Sequence, residues 1–261
     1  MSRQFDGYVG VFDSGVGGIS VLRQLASTLP RESYAYFGDS AYAPYGERSR
    51  DQVLRRSRDI VDDLLDEGCK AVVIACNTAT SAAAATLRAD YAHVPIIGVE
   101  PALKPASLAP GVKRIAVMAT PITLRLDKYQ QLAEKWGGGH EVIDVACPGL
   151  AARIEQGNLD APDVRDMVES LIGHLAGKVD AVVLGCTHYP FISSVIRDVV
   201  GDVPLFDGAL GTARQLERKL AERGLLAKST EAGRVEFRSS VEGPEEIELY
   251  RRFFDLNNES R

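Results

Sequence analysis

Two apolar runs that each end in a cysteine constrain the fold of this chain more than any other feature. The runs are AVVIACNTAT at 71–80 and AVVLGCTHYP at 181–190, and they place Cys76 and Cys186 at equivalent points. Continuous β-branched runs of this length are typical of strands buried on both faces of a parallel sheet. A helical pattern follows each run, so we expect each cysteine at the carboxyl edge of a sheet, near a helix N-terminus.

The remainder of the chain alternates between short β-branched runs and longer helical patterns. This alternation predicts an α/β fold with mainly parallel strands. The predicted strands are Tyr8–Phe12, Tyr34–Phe37, Ala71–Ala75, Arg114–Met118, Val142–Val145 and Ala181–Leu184. The predicted helices cover about 17–29, 50–67, 78–91, 122–136, 161–176, 190–200 and 209–224.

A loose internal repeat predicts two similar lobes. The segment YVGVFDSGVGG begins at position 8 and its counterpart RIAVMATPIT at 114, an offset close to that between the two cysteine runs. Proline-rich turns near 99–105 and 203–208 mark the crossings between the halves. We therefore expect pseudo-symmetric α/β lobes, lobe A at 1–98 plus 209–261 and lobe B at 99–208. The active site is expected in the cleft between them.

Composition and charge exclude several classes of protein. The chain has 261 residues, 45% of them hydrophobic, and a net charge of -6 without a basic stripe, which argues against a nucleic-acid or membrane-surface partner. The N-terminal segment has no apolar core of a secretory signal, and no run approaches the roughly 20 apolar residues of a membrane span. The four cysteines form no C-x-x-C pair, so we expect a cytoplasmic protein without a metal or disulfides.

Two thiols that converge on one cleft have a specific chemical use. A thiolate can remove a proton from a carbon while a thiol delivers a proton to the opposite face, which is two-base racemisation. A redox couple and a pair of simply buried cysteines are the alternatives. Cys69 and Cys147 lack polar flanking residues, and we interpret both as structural.

Two loops add candidate ligand contacts. In FDSGVGGIS at 12–20, Ser20 occupies the position of the third glycine of a dinucleotide fingerprint, so the fingerprint is incomplete. A nest of backbone N–H groups at a helix start can bind a carboxylate, and a plain tight turn without a ligand is the alternative. In the first case Asp13 and Ser14 would face the cleft. In FGDSAYAPYGERS at 37–49, a phenol and backbone amides could meet an acidic side chain, although a packed surface loop without a ligand is equally consistent with these residues.

Five motifs together resemble a known family. VFDSGVGGISVL, YFGDSAYAPYG, VVIACNTAT, ACPGLAARIEQG and VLGCTHYP are similar in order and spacing to the cofactor-independent glutamate racemases of the aspartate/glutamate racemase superfamily. The resemblance covers nearly the whole chain. It implies two α/β lobes, a homodimer, and interconversion of L- and D-glutamate without pyridoxal phosphate or metal. It also implies a role in supplying D-glutamate for bacterial peptidoglycan.

The resemblance also implies roles for individual residues. Cys76 would take the proton from D-glutamate and Cys186 from L-glutamate. The implied assisting residues are Asp13 and Asp39 beside Cys76, and His188 and Glu155 beside Cys186. The implied substrate contacts are Asp13, Ser14, Pro44, Tyr45, Gly46, Asn77, Thr78, Thr187 and His188.

Two departures from the family pattern leave local contacts open. The T-x-x-T-x-x-S segment of the family ends here in Leu126, and its Asp-Ser pair is Asp207-Gly208. Aspartate racemase, hydantoin racemase, maleate isomerase and decarboxylase activities remain alternatives within the superfamily. A non-catalytic amino-acid binder with two lobes is the alternative from a different class.

Overall fold

The computed structural model describes residues 3–256 and contains two sheets in which every strand pair is parallel. In spatial order the first sheet consists of β4 (Ile96–Gly98), β3 (Ala71–Ile74), β1 (Val9–Asp13), β2 (Tyr34–Gly38) and β9 (Val235–Ser239). The second consists of β6 (Glu141–Ala146), β5 (Arg114–Ala119), β7 (Ala181–Leu184) and β8 (Leu205–Asp207). The predicted α/β class with two parallel-sheet lobes is confirmed.

Eleven α-helices accompany these strands within the described residues. Five of these helices accompany the strands of the first sheet: α1 (Ile19–Thr28), α2 (Arg50–Asp66), α3 (Asn77–Asp90), α10 (Ala209–Glu222) and α11 (Pro244–Asp255). The other six accompany the strands of the second sheet: α4 (Leu103–Leu108), α5 (Pro121–Arg125), α6 (Asp127–Gly137), α7 (Leu150–Glu155), α8 (Pro162–Ile172) and α9 (Ser193–Val200). Within 3–256, none of the helices is both long and apolar enough to cross a membrane.

The two sheets repeat one topology. Without β9, the first sheet has the order β4-β3-β1-β2, and the second reads β8-β7-β5-β6 in the same direction. Each strand of the first sheet therefore has a counterpart four strands later in the chain. The internal repeat in the sequence is thus a repeated fold, and it places β3 and β7, the two strands that precede the cysteines, at equivalent positions.

Burial explains why the cysteine runs form strands. Every residue of β1, β3 and β7 is buried, as expected for central parallel strands covered by helices on both faces. The surrounding helices are amphipathic; α2, for example, buries Val53, Ile60 and Leu64. A reciprocal capping box between Ser49 and Gln52 fixes the start of α2.

The structure differs from the predicted elements where local signals are weak. The predicted helix at 122–136 is two helices, because Leu126 adopts an extended conformation between α5 and α6. The predicted helix at 190–200 begins as a 3-10 turn at Tyr189–Ile192 and becomes α-helical only at Ser193. Strands β4 and β8 contain three residues each, too few to show a periodicity.

The packing between residues 99–100 and the start of α10 explains why a glycine occupies position 208. A β-carbon at this position would lie 2.4 Å from the carbonyl oxygen of Glu100 and 2.7 Å from Val99 Cγ2. The serine of the family pattern could not enter here without displacing backbone. The departure at Gly208 therefore permits close contact between the crossing at 99–100 and the start of α10.

Candidate active site

Cys76 lies at the junction of β3 and α3. The residue has an extended backbone and caps the helix, and its sulfur accepts a hydrogen bond from the backbone N–H of Ala79 at 3.4 Å. Cys76 is buried. The helix N-terminus and the Ala79 N–H favour a thiolate at Cys76, but they do not lower its pKa overall, because burial and the nearby Asp13 outweigh them.

Asp13, at the end of β1, lies beside Cys76. Its carboxylate accepts hydrogen bonds from the backbone N–H of Gly18 and, at 3.3 Å, from the hydroxyl of Thr187, and it interacts with the Cys76 thiol. Complete burial raises the pKa of Asp13 to about 6, and burial together with the Asp13 charge raises the pKa of Cys76 well above its ordinary value. Near neutral pH Cys76 therefore holds its proton and Asp13 is mainly ionised, which leaves the carboxylate able to accept a proton from the thiol.

Cys186 has a different partner. Its sulfur lies 3.4 Å from Nδ1 of His188, and Nε2 of the same ring lies 2.5 Å from the Glu155 carboxylate. Burial opposes a charge on His188, but the adjacent Cys186 and Glu155 outweigh it and raise the pKa of His188 well above its ordinary value. After Cys186 the chain forms a 3-10 turn at Tyr189–Ile192, and α9 begins only at Ser193. The neighbour of the Cys186 sulfur is therefore an imidazole, whereas the neighbour of the Cys76 sulfur is the N-terminus of α3.

The N-terminal glycine turn supports this histidine from the other lobe. The backbone N–H of Val16 donates to both carboxylate oxygens of Glu155, at 3.0 and 3.2 Å. A β-carbon at Gly15 would lie 2.1 Å from Glu155 Oε1, and one at Gly17 would lie 2.4 Å from His188 Nδ1. The glycines of this turn therefore permit the backbone of one lobe to pack directly on the acid–imidazole pair of the other.

Both sulfurs line one small cavity of about 20 Å³ between the lobes. Its lining residues are Ser14, Pro44, Tyr45, Gly46, Cys76, Asn77, Thr78, Thr120, Ala151, Cys186, Thr187 and His188. The sequence-predicted substrate contacts are all among them except Asp13, which interacts with the Cys76 thiol. No lysine or arginine within 3–256 lines the cavity, so its donors are backbone N–H groups, hydroxyls, an amide and an imidazole.

The loop at 44–46 is held in place by a partly buried ion pair, in which Asp39 is buried and Arg56 is partly exposed. The Tyr45 hydroxyl donates to Asp39 at 2.5 Å, and Arg56 of α2 binds the same carboxylate at 2.7 and 3.1 Å. Asp39 was expected to assist Cys76 through the resemblance. In the structure the Asp39 carboxylate binds Arg56 and Tyr45. The carboxylate that interacts with the Cys76 thiol is that of Asp13.

Four residues contribute to the site without having been singled out for it: Ala151 and Thr120, which line the cavity, and Thr123 and Arg56 beside it. The hydroxyl of Thr78 lies 3.1 Å from those of both Thr120 and Thr123, a cluster that joins the lobes. The T-x-x-T pattern was visible in the sequence but carried no local chemical signal. The role of Arg56 could not be predicted from the sequence, because its partner Asp39 lies in a separate loop.

A much larger cavity lies elsewhere. It has a volume of about 700 Å³ and is lined by both interlobe crossings, including Glu100 and Gly208. Neither sulfur lines it. Within the described residues, no group of three or more His, Cys, Asp or Glu side chains has the arrangement of a metal site.

Cys69 provides a test of the division between functional and structural cysteines. The side chain is buried in the core between β1 and α2, and burial raises its pKa to about 12. We expect Cys69→Ala to leave turnover unchanged and to lower the free energy of unfolding by about 1 kcal/mol, the cost of a small void. Steady-state rates and urea unfolding measure both quantities; a large loss of turnover in a folded variant would contradict the assignment.

Asp13 should make stability depend on pH. Because its pKa of about 6 in the folded protein exceeds the ordinary 3.8, protonated Asp13 stabilises the fold, and this contribution is lost as pH rises through 6. We expect the stability of the wild type relative to Asp13→Asn to fall by about 1–2 kcal/mol between roughly pH 5 and pH 7.5. Urea unfolding at both pH values measures this. Asp59→Asn is the control, since that side chain is 63% exposed, and parallel pH curves for wild type and Asp13→Asn would refute the expectation.

Solved structures that superpose on this chain include several glutamate racemases. A model of the Asp/Glu/Hydantoin racemase family matches residues 9–216. The chain belongs to this family and is an isomerase of the racemase class.

Similarity to individual family members extends along nearly the whole chain. A glutamate racemase from Clostridium perfringens is 44% identical over 250 residues, which cover 95% of this chain and 96% of the relative. A glutamate racemase isoform from Bacillus anthracis superposes with a TM-score of 0.86 at 30% identity, covering 97% of this chain and 96% of that one. The Francisella tularensis glutamate racemase in complex with D-glutamate gives 0.82 at 28% identity, with 97% and 95% covered.

Proposed function

We propose that the protein interconverts L- and D-glutamate with Cys76 and Cys186 as its two acid–base groups. The observation that carries the proposal is that both sulfurs line one cavity, each with its own proton-accepting partner. The similarity to glutamate racemases supports the choice of substrate. A thiolate and a thiol are sufficient for the proton transfers, so no cofactor is needed in this scheme.

The proton balance of one turnover is as follows. With L-glutamate, the Cys186 thiolate takes the α-proton and becomes a thiol, and the Cys76 thiol donates its proton to the opposite face and becomes a thiolate. The D-glutamate direction reverses both steps. Asp13 and His188 hold or return protons as the two sulfurs exchange their protonation states.

The main energetic barrier is the weak acidity of the α-proton. Because the transition state has enediolate character, the site must stabilise negative charge on the substrate carboxylate. We assign this to neutral donors of the cavity lining, Ser14, Thr78 and Thr187 among them. A single preorganised donor of this kind contributes about 3 kcal/mol.

Asn77 supports the binding of an amino acid. Its amide oxygen is buried, lines the cavity region, and makes no hydrogen bond to any residue of 3–256. An unpaired buried acceptor is costly, and the ammonium group of an amino acid would satisfy it. The loop at 44–46, held by Asp39 and Arg56, would receive the side-chain carboxylate.

Substrate entry requires the lobes to separate. A cavity of about 20 Å³ holds little more than one water molecule, far less than glutamate. The contacts that would open are the Val16–Glu155 hydrogen bonds, the Thr187–Asp13 hydrogen bond and the threonine cluster at 78, 120 and 123. Closure over the substrate would exclude water and strengthen these electrostatic interactions.

We extend the proposal to the biological setting. The lobes would be 1–98 with 209–261 and 99–208, the active form a cytoplasmic homodimer, and the product D-glutamate for peptidoglycan. These assignments follow from the likeness to bacterial glutamate racemases. The negative charge of the chain is consistent with a partner that is neither nucleic acid nor membrane.

A substrate panel tests the proposed activity. The purified protein is incubated separately with each enantiomer of glutamate and aspartate, with a 5-substituted hydantoin and with maleate, and optical activity and products are followed. We expect racemisation of glutamate in both directions and much slower turnover of the others. Faster turnover of another compound, or glutamate binding without turnover, would refute the assignment.

A further inference from the structure

Tyr36, in the middle of β2, is a buried phenol that the mechanism above does not use. Its side chain is completely buried, and its hydroxyl donates a hydrogen bond to the carbonyl oxygen of Gly15 at 2.5 Å. Burial, together with the charges of Asp13 and Glu155, raises the pKa of Tyr36 well above its ordinary value. The phenol therefore keeps its proton and remains a donor to the glycine turn.

The acceptor of this hydrogen bond belongs to the peptide group that joins Gly15 to Val16. The N–H of the same peptide group, on Val16, donates to both carboxylate oxygens of Glu155 at 3.0 and 3.2 Å. In a trans peptide group the carbonyl and the N–H point in opposite directions, so Tyr36 and Glu155 bind its two ends. No backbone N–H within residues 3–256 donates to the Gly15 carbonyl, so the phenol is the group that satisfies it.

The hydrogen bonds continue from Glu155 to one of the two sulfurs. The Glu155 carboxylate binds Nε2 of His188, and Nδ1 of that ring lies 3.4 Å from the Cys186 sulfur. Tyr36 is therefore connected to Cys186 through a peptide group, a carboxylate and an imidazole. Hydrogen bonds in such a chain polarise one another, so a donor at the carbonyl makes the N–H of the same peptide group a stronger donor to the carboxylate.

We propose that Tyr36 is a positioning residue for the Cys186 half of the site, acting through a single backbone peptide group. The inference rests on the two-thiol mechanism proposed above. The hydroxyl orients and polarises the peptide group, and the Val16 N–H then holds the Glu155 carboxylate against His188. Without the hydroxyl the buried carbonyl of Gly15 has no partner, which favours rotation of the peptide group away from Glu155.

The packing of the glycine turn makes Glu155 sensitive to such a rotation. A β-carbon at Gly15 would lie 2.1 Å from Glu155 Oε1, and one at Gly18 would lie 3.0 Å from the Tyr36 hydroxyl oxygen. The turn thus lies between the phenol and the carboxylate, with no space for a side chain on either side. A small movement of the peptide group therefore changes the position of the carboxylate.

The test compares the wild type with Tyr36→Phe, which removes only the hydroxyl. The first measurement is the proton chemical shift of the Val16 amide in ¹⁵N-labelled protein, since a stronger hydrogen bond moves an amide proton downfield. We expect this signal to move upfield in Tyr36→Phe. We also expect kcat/KM for glutamate to fall about tenfold, the factor that corresponds to an unpaired buried acceptor.

Tyr34→Phe is the matched control. Tyr34 is another buried phenol of β2, and it donates to the backbone carbonyls of Leu25 and Leu29 near the C-terminal end of α1, away from the glycine turn. This variant loses the same chemical group from the same strand. We expect it to keep the wild-type Val16 signal and the wild-type kcat/KM.

A second substitution distinguishes the hydrogen-bond chain from a simple loss of packing. If Tyr36 acts through the Glu155 carboxylate, adding Tyr36→Phe to Glu155→Gln should lower the remaining rate by no more than about twofold, because the charge that the peptide group orients is already absent. The same tenfold loss in both backgrounds would overturn the proposal.

Tyr36→3-fluorotyrosine provides an independent variant that keeps the ring and the hydroxyl. Its more acidic phenol is a stronger donor, so the Val16 signal should move downfield, and this variant decides the question if Tyr36→Phe fails to fold. An unchanged Val16 signal in either folded variant overturns the proposal. If the wild type fails to racemise glutamate while the Val16 signal responds as expected, the proposed function is at fault and the hydrogen-bond chain is not.

Discussion

Replacing either Cys76 or Cys186 by alanine is expected to lower the rate of glutamate racemisation by at least about 10³-fold. Each variant keeps one group that could remove or deliver a proton on one face, but a complete inversion needs both faces. The two variants should be equally impaired in both directions. Polarimetry from each enantiomer measures the rates.

Glutamate binding should survive in both cysteine variants. The carboxylate donors and the amide of Asn77 are separate from the sulfurs, so calorimetry should still detect binding. A mixture of the two variants should remain inactive, because one chain supplies both sulfurs of its cavity. The Cys69→Ala protein is the matched control, and racemisation by either single variant at Cys76 or Cys186 would contradict the two-base scheme.

Gly17→Ala is expected to lower kcat/KM by about 10²-fold, although the residue carries no chemical group. Its added methyl group would lie 2.4 Å from Nδ1 and 2.5 Å from Cε1 of His188, and 2.7 Å from the Thr187 hydroxyl. Either the imidazole moves away from Cys186 or the lobes fail to close. Both outcomes separate groups that must meet in the transition state.

The control for this prediction is Gly211→Ala. A β-carbon at Gly211, within α10, would meet no atom within 4 Å, and alanine favours the helix by about 1 kcal/mol. We expect wild-type rates and slightly higher stability from Gly211→Ala. Wild-type kcat/KM in Gly17→Ala would show that the close contact between the glycine turn and His188 is not required.

The fold was largely predictable because its strongest signals are local. Central strands such as β3 and β7 are continuous apolar runs, and the repeat between the halves is visible in the sequence. The break at Leu126 and the 3-10 turn after Cys186 were not predictable in this way. They depend on backbone conformations that a hydrophobic pattern does not encode.

The site was predictable to the extent that its residues lie at strand ends. The placement of Cys76 and Cys186 follows from where parallel strands end, and the glycine turn from its motif. Glu155 carries no such signal: its partner His188 lies in a distant segment, and only the family resemblance pointed to it. The pairing of Asp39 with Arg56 was missed for the same reason, since long-range ion pairs leave no periodic pattern.

The most direct test of the central claim is incubation of the protein with L-glutamate in D2O without added cofactor. Circular dichroism follows the optical signal, and NMR follows deuterium at the α-carbon. Two-base racemisation predicts that the optical signal decays to zero as deuterium enters the α-position, and that the decay of the optical signal is lost in Cys76→Ala and in Cys186→Ala. A constant optical signal without deuterium incorporation in the wild type, while glutamate still binds, would contradict the account and identify the cleft as a receptor or as the site of another substrate.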